Sequence, residues 1–432
     1  FMVNTREEPK KKKDEAWVFQ PKMKIMDASN SPKPVFIQRQ DLHRDLAKMD
    51  TLTRQETEAL DMLYRNQLEF AVGHGVSIHV TMQENEVERA LTLETEFLPR
   101  SDVEKQTPPT ADDNLDLAGL TLDMKELSEM PKADLVANLR RIQTAYVKWI
   151  DREKTKLSDP KERLASSQNA ANRALNSCQR AAERIKEGNI FIENNDVAEK
   201  AFRFANLAMG LQRVRAIYAR AVRKGEVLPG SPDAEFDVPG NRSWYLFQIA
   251  FVLLNIPAIT NLNHPDRSDE TSAVADLLWF ATGGGKTEAY LGLTAYVLAL
   301  RRLQGEIEGR PGDHGVAVLM RYTLRLLTIQ QFQRATSLLC ACEVIRRGNE
   351  TVWGTVPFRL GLWVGNKSTP NTLNQAAEAL RQTRVGGMPA NTGSPNQLGS
   401  CPWCGAEIKG QHTKVYEPPN DIGRCVTYCG DP

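Results

Sequence analysis

The feature that most constrains this sequence is a glycine-rich turn between an apolar run and a helix-forming run. Residues 276–280 read Asp-Leu-Leu-Trp-Phe, residues 281–287 read Ala-Thr-Gly-Gly-Gly-Lys-Thr, and strong helix formers follow from Glu288 to Leu303. Strand, glycine loop and helix in this order are typical of an α/β fold whose parallel sheet carries the loop at its edge. The order therefore predicts an α/β domain with a site for the phosphates of a nucleotide.

The loop also has the residue types that phosphate binding needs. Successive glycines let backbone N–H groups turn inward without Cβ clashes, and the helix N-terminus adds the positive end of its dipole. Lys286 can reach the β- and γ-phosphates and Thr287 can ligate Mg²⁺, so these two are the predicted catalytic residues. The residues predicted to bind ATP and Mg²⁺ are Thr282, Gly283, Gly284, Gly285, Lys286, Thr287 and Glu288. The alternative is a glycine-rich turn that Lys286 and Thr287 follow by chance.

Two details of this region resemble superfamily 2 helicases. Phe280 stands where the general phosphate-loop signature has glycine, which leaves the A-x-T-G-x-G-K-T form of motif I. Upstream, Gln248 with Phe247 beside it resembles the Q motif, in which a glutamine hydrogen-bonds the adenine edge. The resemblance implies that the domain is the first RecA-like lobe of such an enzyme. The alternative for Gln248 is a hydrogen-bonded helix residue that contacts no ligand.

Two further apolar runs are each followed by residues suited to a DNA contact. Residues 316–320 precede a polar loop at the place of motif Ia, where cationic and hydroxyl side chains meet phosphate oxygens. Residues 358–364 lead into a glycine turn at the place of motif Ib, whose backbone N–H groups can approach a phosphate. The predicted DNA-binding residues are Arg321, Thr323, Arg325, Gly365 and Asn366. The alternatives are a charged turn that faces water and an ordinary tight turn.

Four of the seven cysteines lie close together near the C-terminus. Cys401 and Cys404 form one pair, and Cys425 and Cys429 form a second pair further along the chain. Paired thiolates at these spacings can close a tetrahedron around Zn²⁺, and four of them leave no position for water. The quartet therefore predicts a structural, zinc-ribbon-like insert. Free buried cysteines are the alternative, and His412 lies mid-loop and is left out of the predicted ligand set.

The rest of the pattern divides the chain into regions. Residues 1–35 are polar and basic and predict a disordered or loosely ordered tail. A helical pattern followed by alternating apolar residues predicts a small α+β module over 36–117. Apolar residues at helical and seven-residue spacing predict a helical hairpin region over 118–230, with a partner-gripping arm as the alternative. The RecA-like lobe is predicted over 241–385, and the zinc-binding insert over 386–432.

Bulk composition narrows the class of protein. The chain has 55 Lys and Arg against 54 Asp and Glu, so any affinity for nucleic acid must come from a local patch. The longest apolar stretch, residues 247–259, is interrupted and too short for a membrane helix, which predicts no membrane partner. The N-terminal residues lack the apolar region of a secretion signal, and the cysteine pattern is not that of a disulfide framework. These observations predict a cytoplasmic protein.

Strings along most of the chain resemble one family. They are RNQLEFAVGHG (65–75), ETEFLP (94–99), FQIAFVLLNIP (247–257), DLLWFATGGGKTEAYLGL (276–293), RYTLRLLTIQQFQRA (321–335), LGLWVGN with TPN (360–371) and CPWCG (401–405). Together they are similar to the DrmA family, the helicase-like subunits of the DISARM anti-phage defence systems of bacteria. The resemblance implies an ATP-dependent motor on single-stranded DNA or on duplex with an overhang, beside a partner subunit, DrmB, and a DNA methyltransferase. The family usually has proline where Ala281 stands, a departure that leaves the glycine loop intact.

The sequence lacks two parts that superfamily 2 hydrolysis requires. These parts are an acidic motif II after a buried strand and arginines from a second RecA-like lobe. We therefore expect the chain to be the N-terminal portion of a longer protein, which alone binds nucleotide weakly and does not hydrolyse it. Two other functions stay open: a zinc-ribbon DNA-binding scaffold with a vestigial or regulatory nucleotide site, and a small-molecule kinase or other P-loop transferase.

Overall fold

The computed structural model of the chain contains two units. The first comprises Phe1–Lys105 with Trp149–Cys178, and the second comprises Gln106–Lys148 with Gln179–Pro432. The residues that the structure describes are 7, 10–11, 20–39, 46–83, 88–98, 109, 114–228, 235–280, 284–322, 325–365, 368–384, 393–417 and 423–431.

An antiparallel sheet and a helix organise the first unit. Its strands, in chain order, are β1 (Lys24–Met26), β2 (Phe36–Ile37), β3 (Ser77–Met82) and β4 (Arg89–Glu96). Strand β4 pairs with each of the other three, and its Ala90 and Leu93 form a small apolar cluster with Phe70. Helix α1 (Thr51–Leu63) begins after Asp50, whose carboxylate accepts hydrogen bonds from backbone N–H groups of the first turn.

Long helices dominate the second unit. The helices that follow α1, in chain order, are α2 (Met124–Glu129), α3 (Lys132–Lys156), α4 (Gln168–Asn194), α5 (Asp196–Arg223), α6 (Leu246–Thr260), α7 (Pro265–Ser268), α8 (Lys286–Gln304), α9 (Arg325–Gly348), α10 (Glu350–Trp353) and α11 (Leu373–Arg384). Helices α3 and α4 contribute residues to both units. Leu135, Leu139, Ile142 and Ile150 of α3 are buried, which confirms the predicted apolar face of this helix.

The core of the second unit forms where α5, α6 and α8 pack together. Helix α5 begins after Asn195, whose side chain caps its first turn. Phe202 of α5, Leu253 of α6 and Tyr296 of α8 are fully buried in one apolar cluster. The Tyr296 hydroxyl also lies 2.6 Å from the hydroxyl of Thr260 at the end of α6. This core fixes the start of α8, where the glycine loop ends.

The parallel sheet that the sequence predicts is absent from the described part of the chain. All strand pairs found there are antiparallel, and residues 276–280, 316–320 and 358–364 belong to no strand. Several apolar side chains in these segments are exposed, by 85% for Leu277 and by 100% for Trp363, whereas Phe358 is buried in the core. An extended segment becomes a strand only when a neighbour supplies backbone hydrogen bonds, and no described segment does so here. The α/β prediction is therefore confirmed only as a mixed fold of helices and strands.

Two short hairpins also lie in the second unit. Strands β5 (Glu306–Ile307) and β6 (Arg310–Pro311) follow α8, and β7 (Thr413–Tyr416) pairs with β8 (Arg424–Thr427) near the C-terminus. Within the described ranges, every helix is too short or too polar to cross a lipid bilayer.

Candidate nucleotide site and cysteine cluster

The glycine loop ends where helix α8 begins. Gly285 has φ +86°, and Lys286 and Thr287 are the first two residues of the helix. A Cβ at Gly285 would lie 2.7 Å from the amide nitrogen of Gln248, so glycine is the residue that fits this position without strain. The structure thus contains the glycine-led helix N-terminus that the sequence predicts, with Gly284 before it.

The segment that enters the loop is anchored at both of its ends. The guanidinium of Arg184 on α4 donates hydrogen bonds of 2.6 and 2.9 Å to the two carboxylate oxygens of Asp276. The ring of Phe280 stacks on that of Phe247, with centroids 3.7 Å apart. The Lys286 ammonium donates a hydrogen bond to the carbonyl of Phe280, so the first residue of α8 is tied to the last residue of this segment.

Gln248 joins helix α6 to the glycine loop. Its side chain is 3% exposed; its carbonyl accepts a hydrogen bond from the N–H of Tyr245, and its amide donates one to the carbonyl of Gly285, both at 2.8 Å. Both amide groups therefore bind protein atoms beside the loop. To read an adenine edge, Gln248 would have to exchange at least one of these hydrogen bonds.

Glu288 connects the first turn of α8 to two other helices. One of its carboxylate oxygens forms ion pairs with Arg334 of α9 and, at 3.6 Å, with Arg213 of α5. Its second oxygen is buried and has no hydrogen-bond partner among the described residues. The sequence pattern predicts a nucleotide contact at Glu288. It gives no signal for Arg213 or Arg334, because their approach depends on how α5 and α9 pack.

The predicted DNA-binding residues are only partly placed by the structure. Arg321 is exposed, and Gly365 has open space around it and accepts a hydrogen bond from the N–H of Ser368 at 2.8 Å. Arg325 is the first residue of α9, and its side chain lies outside the described part. The predicted site residues that lie wholly outside the described residues are Thr282, Gly283, Thr323 and Asn366.

Three of the four predicted zinc ligands lie together. The sulfurs of Cys401, Cys404 and Cys429 are all within 4.8 Å of one another, and those of Cys404 and Cys429 are 3.4 Å apart. Ligand sulfurs at about 2.3 Å from a tetrahedral Zn²⁺ stand about 3.8 Å apart, so this spacing fits a metal. The backbone N–H groups of Trp403 and Asp431 point at the sulfurs of Cys401 and Cys429, each at 3.4 Å, as donors that stabilise thiolates.

The segment 401–406, called the cysteine knuckle below, packs on α5. It turns through hydrogen bonds from the Cys401 N–H to the Ala406 carbonyl and from the Gly405 N–H to the Cys401 carbonyl, at 2.8 and 2.9 Å. Gly405 has φ +80°, and a Cβ there would lie 2.6 Å from the carbonyl oxygen of Ala219. The position therefore needs glycine both for its backbone angle and for its contact with α5.

The fourth predicted ligand, Cys425, is not in this cluster. It lies on β8 opposite Val415, is exposed, and is not among the three clustered sulfurs. His412 is not in the group either, although its ring lies beside Gly430, the residue after Cys429. The ring packs on Tyr428, with centroids 5.6 Å apart, and its Nδ1 accepts a hydrogen bond of 3.2 Å from the backbone N–H of Lys409. The prediction of four clustered cysteines is therefore corrected to three.

The cysteine thiols differ in their electrostatic surroundings. Burial raises the pKa of Cys404 and also that of Cys429. Burial, followed by the charges of Cys401 and Cys429, raises the pKa of Cys340 on α9 to about 11. Burial is thus the main cause of the raised pKa of Cys340, and the clustered cysteines contribute less.

Comparison with known proteins gives one informative match. The chain is 32% identical over 363 residues to the DISARM protein DrmA of Bacillus paralicheniformis, and the match covers 82% of the chain. Over this span the chain is DrmA-like. It spans about 30% of the length of that DrmA. No protein-family model matches the chain.

Proposed function

We propose that this DrmA-like chain carries the ATP-binding part of a DNA helicase or translocase that acts in bacterial anti-phage defence of the DISARM type. One observation carries the proposal: in a DrmA-like sequence, a glycine at φ +86° leads directly into a helix whose first residues are Lys286 and Thr287. A helix N-terminus with this lead-in is a ready anion site, because its first N–H groups have no partner within the helix.

The residues present fit a nucleotide triphosphate with Mg²⁺. The fit rests on Gly285, whose φ of +86° leads the chain into the helix N-terminus and whose lack of a Cβ makes room for the Gln248 amide. Lys286 would supply the cation for the phosphates and Thr287 a hydroxyl ligand for Mg²⁺, which neutralises charge on the phosphates when bound. Within the chain itself, Gln248 braces the loop, and the pairing of Glu288 with arginines holds the first turn of α8 in place.

Three segments outside the described strands support a RecA-like arrangement in the longer protein. Residues 276–280, 316–320 and 358–364 include exposed apolar side chains and take part in no strand pairing, and the relative is more than three times as long as the matched region. We infer that strands from the rest of the full-length protein pair with these segments in a parallel sheet. In that sheet, Arg321 and Gly365 would follow strand ends on the DNA-facing side.

The test is ATP turnover by the full-length protein with and without single-stranded DNA. We expect DNA to stimulate turnover, Lys286→Ala to abolish it while DNA binding survives, and the exposed Lys161→Ala control to behave as wild type. Undiminished turnover in Lys286→Ala would end the nucleotide assignment. Another outcome is a wild type that retains the metal but shows no turnover, or turnover that DNA does not change. That result would instead support a DNA-binding scaffold with a regulatory nucleotide site.

A further inference from the structure

Glu288 places a carboxylate in the first turn of α8, beside the loop that we propose binds phosphates. Its side chain is only 10% exposed. The carboxylate oxygen without a hydrogen-bond partner among the described residues lies 3.5 Å from the position that a Cβ on Gly285 would take, so it faces the glycine loop. A carboxylate at this place repels a triphosphate unless nearby cations compensate its charge.

Two guanidinium groups meet the other oxygen of this carboxylate. Arg334 of α9 forms a close ion pair with it, and a nitrogen of Arg213 on α5 lies 3.6 Å away. One carboxylate against two guanidinium groups leaves one positive charge in excess. Because the carboxylate is shielded from water, solvent screens its charge weakly, and the two arginines provide most of the compensation.

Neighbouring contacts hold both arginines in place. The Nε of Arg213 donates a hydrogen bond of 3.2 Å to the carbonyl of Asn241. On α9, Ser337 shares a face with Arg334, three residues before it, and its hydroxyl donates a hydrogen bond of 3.4 Å to the Pro402 carbonyl of the cysteine knuckle. The two positive charges are therefore fixed beside the glycine loop in the absence of a nucleotide, which is the condition for electrostatic preorganisation.

We propose that Arg334 and Arg213 are positioning residues of the nucleotide site that act through Glu288, by compensating its charge. The inference rests on the proposed binding of ATP at the loop before α8. The two arginines turn a carboxylate that repels phosphates into a group with excess positive charge, and so let a polyanion approach the helix N-terminus. Their effect grows with the charge of the ligand, so it is larger for ATP than for AMP.

A pair of substitutions separates charge compensation from a structural role. In the full-length protein, fluorescent-nucleotide titration should show that Arg334→Gln binds ATP about tenfold more weakly than the wild type and loses less affinity for AMP. Adding Glu288→Gln to this variant should restore most of the affinity for ATP, because the repelling charge is gone. Arg334→Lys keeps the cation and should lose less than Arg334→Gln. The matched control is Arg347→Gln, which changes an exposed arginine on the same helix and should bind as the wild type does.

Two results would overturn the proposal while leaving the proposed function intact. One is equal ATP affinity of Arg334→Gln and the wild type. The other is a double variant that binds ATP as weakly as Arg334→Gln, because the arginine would then support the fold or contact the phosphates directly.

Arg213→Gln keeps the test available if Arg334→Gln does not fold. Its loss of ATP affinity should be smaller, because its distance from the carboxylate is longer, and Glu288→Gln should again restore the affinity. A loss that Glu288→Gln does not restore would contradict the proposal. A wild type that binds no ATP would overturn the proposed function and this inference together, so the two failures are distinguishable.

Discussion

Single residues at the start of α8 hold the candidate nucleotide site in shape. Gly285 supplies a backbone angle of +86°, and the Gln248 side chain bonds to its carbonyl from helix α6. The glycine was predictable from sequence because its chemistry is local and the Lys-Thr pair follows it. The glutamine contact was not, since residues 37 positions apart meet only through the packing of α6 on α8.

Gly285→Ala tests the backbone requirement of the loop. A side chain at this positive φ should lower the free energy of unfolding by about 1–3 kcal/mol, and it should weaken nucleotide binding. The control is Gly240→Ala, where a Cβ meets no atom within 4 Å and no positive φ applies. Urea denaturation measures the free energy of unfolding of both variants. Equal stability of the two variants would contradict the account of this loop.

Gln248→Ala separates a bracing role from an adenine-reading role. The variant should lose about 1–3 kcal/mol of stability, because the Gly285 carbonyl and Tyr245 N–H lose their buried partners. If Gln248 braces the loop, affinities for ATP and GTP should fall by the same factor. Fluorescent-nucleotide titration measures both, and a loss confined to ATP would favour the adenine contact that the sequence resemblance implies.

At the scale of elements, helices were easier to predict than strands. Helix α8 begins directly after the glycines, as the sequence pattern predicts, because helical hydrogen bonds form within one segment. The segment 276–280 has the composition of a strand but stays unpaired, since a strand depends on partners that its own residues do not specify. The position of Cys425 likewise follows from the register of β7 with β8, which cysteine spacing does not encode.

A buried ion pair joins the loop before α2 to the segment before α6. Arg242 donates hydrogen bonds of 2.9 and 3.1 Å to the Asp123 carboxylate, and both residues are buried. Arg242→Ala should lower the free energy of unfolding by about 3 kcal/mol, because it leaves a buried carboxylate without its cation. The control Lys132→Ala breaks a solvent-exposed pair with Asp196 and should have no measurable effect. Thermal or urea unfolding measures the stability of both variants. Equal losses of stability in Arg242→Ala and Lys132→Ala would contradict this assignment.

At the scale of the whole molecule, the exposed apolar segments are the feature that the sequence pattern does not explain by itself. Leu277, Leu319 and Trp363 are nearly fully exposed, although such residues in an extended run predict a buried strand. The sequence therefore indicated which segments favour strand formation. The sequence could not indicate that these segments pair with no other segment in the described part of the chain.

Hydrogen exchange tests whether the longer protein supplies those partners. Backbone amides of 276–280, 316–320 and 358–364 should exchange rapidly in the 432-residue chain and slowly in the full-length protein, because paired strands protect their N–H groups. Amides in the core of α5 should be protected in both and serve as the internal control. Equally fast exchange of the three segments in both proteins would contradict the proposed sheet.

The central claim is that the loop before α8 binds the phosphates of ATP. Calorimetric titration of ATP with Mg²⁺ into the full-length protein tests this claim most directly. Lys286→Ala should weaken binding by about tenfold or more, since a hydrogen bond to a charged group contributes about 1.5–3 kcal/mol, and Lys161→Ala should bind as the wild type does. Equal affinity of Lys286→Ala and the wild type for ATP would contradict the account.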